Sequence, residues 1–238
     1  MQEFNDIGIS GILDFKRIKK LLFIGVIASI MHLVGAFLLG FGVRNESNNA
    51  FINMISAYVG SQDGRIFAAA LLGLIGMSLE GLSMFAIYRL MAQQSPSFAH
   101  RYRSGIFGYI MFGACGFYVP VCAATFLLKH GFAEDLLLKY VAYFIYPATF
   151  LFIIFFLVLQ ITQISAFAKK YTPYPKNAWI FSMPVGMLVA WLLSLIGNYP
   201  FMNALFCGCI ALGSLWMFGG LLCTLKKVQL EYENLERI

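Results

Sequence analysis

Of 238 residues, 60% are hydrophobic and 12% are charged, and the mean hydropathy is +0.77; a soluble domain carries about twice that charged share. This balance excludes a sizeable soluble domain and leaves one membrane domain with short tails. The net charge of +6 does not point to nucleic acid, because the basic residues sit at the ends of apolar runs and not on one solvated surface.

Six apolar runs, at 20–42, 66–88, 104–128, 140–168, 177–197 and 202–225, are each long enough to be read as a crossing of a hydrocarbon core about 30 Å thick. The expected fold is therefore an all-α, polytopic six-transmembrane-helix bundle. It divides into a cytoplasmic N-terminal segment 1–19, a membrane domain 20–225 and a cytoplasmic C-terminal tail 226–238. Glu3, Asp6 and Asp14 spoil the basic start of a signal peptide, so the first span is expected to remain as an anchor.

After the first span, residues 43–65 form the longest connection. Phe51, Ile52, Ile55, Tyr58 and Val59 recur there at helical spacing and predict a short surface helix. The same loop holds a sequon at Asn45-Glu46-Ser47, meaningful only in a glycosylating cell. In the third span, Gly105, Gly108, Gly113 and Gly116 precede Pro120 and predict close packing with a kink. The fourth run is too long for one straight crossing; Pro147 is expected to divide it, with 134–146 as a tilted lead-in. Gly208, Gly213, Gly219 and Gly220 in the last span suit a helix or dimer interface. The acidic residues after Lys226 and Lys227 read as the solvated end of an extended last helix.

Thirteen of the 17 Lys and Arg residues fall before span one, between spans two and three, between four and five, and after six; Arg44, Arg65, Lys129 and Lys139 fall on the other side. The positive-inside rule places the thirteen, and both termini, in the cytoplasm. Cys115, Cys122, Cys207, Cys209 and Cys223 all lie in apolar runs, where cysteine behaves as a small hydrophobe.

Within the spans the ionisable residues singled out are His32 and Glu80. A charge at mid-bilayer costs about 2.5–3.5 kcal/mol on insertion scales, so such groups face protein or a wet cavity. Each lies on a stripe of small residues: Gly25, Ser29, His32 and Ala36 in the first span, and Ala69, Gly73, Gly76, Glu80 and Ser83 in the second. Such stripes let helices approach closely. His32 lies about 18 Å from the inner rim, and Glu80 and Gln160 about 13 Å, at 1.5 Å per residue. The expectation is a polar layer of His32, Glu80 and Gln160, joined by Ser29, Ser83 and Thr162. Three readings of it stay open: a hydrogen-bonded clamp, a site for a proton, cation or headgroup, or no contact at all.

No phosphate-binding glycine loop, HExxH motif or acidic metal cluster is present in the sequence, and neither metal nor cofactor is expected. In span count, size and glycine-rich spans the chain resembles small six-span bacterial inner-membrane proteins without an assigned activity, and no functional residue carries over from that likeness. The first functional expectation is a small-solute or proton-coupled permease or channel-like protein, with Glu80, His32 and Gln160 binding substrate or proton and no catalytic residue. The alternatives are a noncatalytic membrane partner (assembly, sensor or immunity-type protein) and an intramembrane enzyme acting on a lipid. Expected partners are the lipid bilayer, a small-molecule or ion substrate, and a second copy through glycine-rich helix faces, with no nucleic acid. The expected location is a cell membrane, the bacterial inner membrane in particular.

Overall fold

The structure, a computed structural model, describes residues 13–44 and 49–236, so the sequon at Asn45 lies outside the described residues. Among them every regular element is helical. Helix α1 spans Phe15–Gly40 and begins where the Asp14 carboxylate accepts the Arg17 amide at 2.9 Å. Helix α2, Ala50–Val59, starts at Asn49, whose side chain accepts the amides of Phe51 and Ile52. It buries Ile52, Ile55, Ala57 and Tyr58, which matches the apolar spacing read in the loop.

The second long helix runs over Asp63–Ala92 as α3 (Asp63–Ser83) and α4 (Phe85–Ala92). The third joins α5 (Pro96–Gly108), a π-helical stretch Tyr109–Tyr118 and α6 (Val119–Lys129). The fourth joins α7 (Glu134–Tyr140), a π-helical turn Val141–Ile145 and α8 (Tyr146–Ala168). A 3₁₀ turn Lys176–Phe181, α9 (Met183–Ser194), α10 (Pro200–Cys207) and α11 (Cys209–Glu236) complete the chain. Five helices, α1, Asp63–Ala92, Pro96–Lys129, Glu134–Ala168 and α11, are long and apolar enough to cross a membrane. The protein is thus an all-α polytopic membrane bundle. Its outward residues are apolar: Phe23, Ile27, Ile30 and Val34 on α1 and Phe150, Ile153, Ile154 and Leu157 on α8 are exposed, as a lipid-facing surface requires.

Several local expectations change. The run at 177–197 is not one long helix: Ser182 is extended, Pro184 sits in the first turn of α9, and the helix has 12 residues. The last run pauses at Gly208, so α10 and α11 are separate. Pro147 marks the junction in the fourth run, between α7 with its π turn and α8. It occupies the first turn of α8, where a missing N–H is tolerated, and the π turn just before it takes up the change in geometry. Pro120 likewise follows the π-helical stretch in the first turn of α6. Helix α11 continues through the acidic tail to Glu236, as its sequence suggests.

Side-chain contacts tie the two ends of the bundle. At one end the Phe15 and Tyr232 rings meet edge-on at 5.6 Å, joining the start of α1 to the end of α11. Tyr174, in the loop beside this end, is buried, and burial pushes its phenol well above the ordinary tyrosine value, so its O–H stays a donor to the Leu221 carbonyl at 2.8 Å. At the other end Asn198 accepts the Arg44 amide at 3.1 Å and donates to its carbonyl at 3.0 Å, while Asn203 donates to the Gly42 carbonyl at 2.7 Å. Trp216 donates to the Ile180 carbonyl at 2.8 Å and fixes the 3₁₀ turn against α11.

Candidate functional site

The small-residue stripes of α1 and α3 face each other. Gly25, Ser29, His32 and Ala36 are all buried, as are Ala69, Gly73, Gly76, Glu80 and Ser83. Gly76 makes the close approach possible: a Cβ there would lie 2.7 Å from the His32 amide nitrogen and 2.9 Å from its Cα. No side chain larger than hydrogen fits between the helices at that level. Beside it, His32 Nδ1 lies 3.2 and 3.3 Å from the two Glu80 carboxylate oxygens, and both residues are almost fully inaccessible.

Tyr109 completes the group. Its hydroxyl donates to Glu80 Oε2 at 2.5 Å, and the ring is wholly buried. The Tyr118 ring packs edge-on against the His32 ring at 5.4 Å, in a place where a Cβ on Gly73 would overlap it. Tyr109 and Tyr118 open and close the π-helical stretch. In an α-helix nine residues turn through about 900°, which leaves the two rings on opposite faces. A π-helix needs roughly 4.4 residues per turn, so nine residues make about two whole turns and both rings reach the α1–α3 pair.

The expected polar layer is only partly assembled. Ser29 Oγ bonds the Gly25 carbonyl of its own helix at 2.9 Å. Ser83 is buried with its hydroxyl unpaired among the described residues, and so is the Tyr118 hydroxyl. Thr162 is buried on α8 but enters no side-chain bond to the triad. Gln160 is buried too, yet it does not bond Glu80 or His32; its Nε2 donates to Met183 Sδ at 3.3 Å, and its Oε1 is unpartnered. Met183 lies 4.0 Å from Ser214 Oγ, and Ser214 neighbours the Tyr109 phenol. A row of polar and sulfur atoms therefore links Glu80 to Gln160 indirectly, through Tyr109, Ser214 and Met183.

Tyr109 and Ser214 are the residues that sequence reasoning missed. Tyr109 falls in an apolar run and reads there as an ordinary aromatic; its role depends on the wider π-helical turn. Chemically, the triad offers one proton two places. Either the imidazole Nδ1–H donates to the carboxylate, or a carboxylic acid donates to Nδ1, with no heavy atom displaced. Tyr109 holds one carboxyl oxygen in either case. Among the described residues no group of three or more His, Cys, Asp or Glu could hold a metal ion.

The model of a family of unknown function, DUF6796, matches residues 4–228. The chain belongs to DUF6796. No curated protein and no solved structure matches it. The match takes in every residue of the triad in this DUF6796 chain, and the family's description assigns it no activity.

Proposed function

We propose that this DUF6796 chain is a proton-coupled permease or channel-like protein for a small solute. Glu80 is the proton-carrying acid, His32 its partner, Tyr109 the group that orients it, and Gln160 a polar liner on the solute side. The observation that carries the reading is the buried His32–Glu80–Tyr109 group: an ionisable pair at mid-depth is costly in a membrane and is ordinarily retained for proton or ion movement. The two π-helical segments lend support, since such turns recur at functional sites and ease local rearrangement.

The same proposal includes six crossings with both ends cytoplasmic, the membrane domain at 20–225, and residence in a cell membrane, the bacterial inner membrane by likeness of span count and size. The Phe15–Tyr232 contact at one end and the Arg44–Asn198 contact at the other favour an even number of passes, with 176–194 as the remaining one. Six 3₁₀ residues at about 2.0 Å and twelve α residues at about 1.5 Å reach about 30 Å, one hydrocarbon thickness.

A noncatalytic membrane partner is the second reading, and the tight seal at Gly76 favours it, because a permanently closed pair acts as a clamp. Liposomes loaded with a pH-sensitive dye and reconstituted with the full chain separate the two. Under an imposed membrane potential, and in the presence of pools of small solutes, the permease reading predicts solute-dependent proton entry that Glu80→Gln abolishes while elution from size exclusion is unchanged. Proton entry equal to that of empty liposomes with every pool, from a correctly folded wild type, overturns it in favour of the clamp.

A further inference from the structure

A groove of about 620 Å³ lies where the start of α1 meets the last turns of α11, lined by Lys16, Lys19, Lys20, Phe23, Leu222, Leu225, Lys226 and Gln229. We infer that it is a binding site for an anionic diacyl phospholipid. The phosphate sits among the four lysines, and an acyl chain runs along Phe23, Leu222 and Leu225.

The placement of the charges carries the argument. Lys16, Lys19 and Lys20 are spaced three and four apart, so they share one face of α1, and Phe23 continues that face one turn deeper. On α11, Leu222, Leu225, Lys226 and Gln229 are spaced three, one and three and form the facing stripe. The Phe15–Tyr232 contact and the packing of Phe218 where a Cβ on Gly25 would lie hold the two helices side by side along this groove. Its apolar wall is made by Phe23, Leu222 and Leu225, of which Leu225 is buried. The groove is therefore basic at the helix ends and greasy toward the bilayer centre, the polarity order of a phospholipid.

Nothing in the described residues neutralises this cluster. None of the four lysines has a carboxylate within ion-pair distance, and all four are exposed. The nearby acids make other contacts: Asp14 accepts the Arg17 backbone amide, Glu231 lies 3.9 Å from Lys227, and Glu233 accepts the side-chain Nε2 of Gln229 at the edge of the groove. Like charges three and four apart on a helix repel, and three of these stand in the first turns of α1, where the helix dipole is already positive. Orienting a protein by the positive-inside rule needs basic residues near the rim, and it does not need them gathered around a groove with an apolar wall. Basic pockets between membrane helices that open at the headgroup level take anionic lipid headgroups.

Native mass spectrometry of the full chain in detergent tests this, with phosphatidylglycerol, phosphatidylcholine of the same acyl chains, and glycerol 3-phosphate as probes. We expect at least about tenfold preference for phosphatidylglycerol over phosphatidylcholine. At about fivefold per lysine, the double variant Lys19→Gln/Lys226→Gln should lose about 25-fold in phosphatidylglycerol binding. Lys169→Gln/Lys170→Gln, an equal charge change outside the groove, should lose less than twofold. Leu222→Trp keeps every charge, fills the apolar part and should also weaken binding, which keeps the test decisive if the lysine variant does not fold. Equal retention of the two lipids overturns the site. Equal loss in the two double variants reduces it to general surface charge and overturns it as well. Displacement of the lipid by equimolar glycerol 3-phosphate overturns a diacyl lipid as the occupant.

Discussion

Gly76→Ala is the smallest change that tests the α1–α3 contact. The added methyl would stand 2.7, 2.8 and 2.9 Å from the amide nitrogen, Cβ and Cα of His32. Carbon contacts are comfortable at about 3.5–4.0 Å. Two of the three opposing atoms belong to backbone, so no rotamer change relieves the overlap, and α1 must move away from α3 by about 1 Å. Overpacking of this kind costs about 1–3 kcal/mol. The same movement stretches the His32–Glu80 contact from 3.2 Å to about 4 Å, beyond hydrogen-bond range. Polar contacts between membrane helices average about 0.6 kcal/mol and reach about 1.7 kcal/mol, so the total loss is about 2–5 kcal/mol. Reversible unfolding of the reconstituted protein in mixed micelles measures it. Gly64→Ala on the same helix is the control, because a Cβ there has no neighbour within 4 Å; it should be neutral or slightly stabilising. Stability of Gly76→Ala within about 0.5 kcal/mol of wild type would refute the close approach.

Other substitutions separate the partnered polar groups from the unpartnered ones. Tyr109→Phe removes the bond to Glu80 and should cost about 1 kcal/mol by the same unfolding assay, whereas Tyr118→Phe removes a buried hydroxyl with no partner and should be neutral or stabilising. Asn203→Ala loses bonds to the Gly42 carbonyl and to Asn198 Oδ1, which ties α10 to the end of α1, and should cost about 1–2 kcal/mol. Lys129→Met breaks the contact to Asp63, but Asp63 is exposed and solvent screens the pair, so the loss should be small and shrink further in high salt. A maleimide should label exposed Cys223, close to the end of the last apolar run, far faster than buried Cys122, while Cys115, exposed at mid-span where a thiol stays protonated, should also react slowly, as read by mass spectrometry of proteolytic fragments.

Much of this architecture is legible in the sequence because the bilayer imposes a length rule on apolar runs, and α1 and the second, third and fourth long helices obey it. The facing stripes are legible for a related reason: small residues at three- and four-residue spacing around a lone ionisable group have no use on a lipid face. Spacing of this kind allows His32 and Glu80 to meet, and the two side chains do meet. Gln160 shows its limit. Equal depth in the membrane says nothing about which way a side chain turns around its helix, and Gln160 turns to Met183. Tyr109 is hidden for a different reason, since a 3.6-residue period sends it away from Tyr118 and only the π-helical stretch reunites them. Glycine spacing also overstates the case for a second copy. Gly208, Gly213 and Gly220 face Leu33, Met183 and Met187, and Phe181 of the same chain, and of the last-span glycines Gly219 alone has no neighbour within 4 Å. The break at 182–184 was available in Ser182 and Pro184, but hydropathy averaged over a window smooths it away.

Infrared difference spectroscopy of the protein in lipid, wild type against single variants, reads the buried His32–Glu80–Tyr109 group itself. A protonated carboxyl group has a stretching band well separated from that of a carboxylate. The buried triad predicts a Glu80 band that shifts in Tyr109→Phe as its hydrogen bond is lost and is absent in Glu80→Gln. A Glu80 band that Tyr109→Phe leaves in place would contradict it, since Tyr109 would then not hold the carboxyl group.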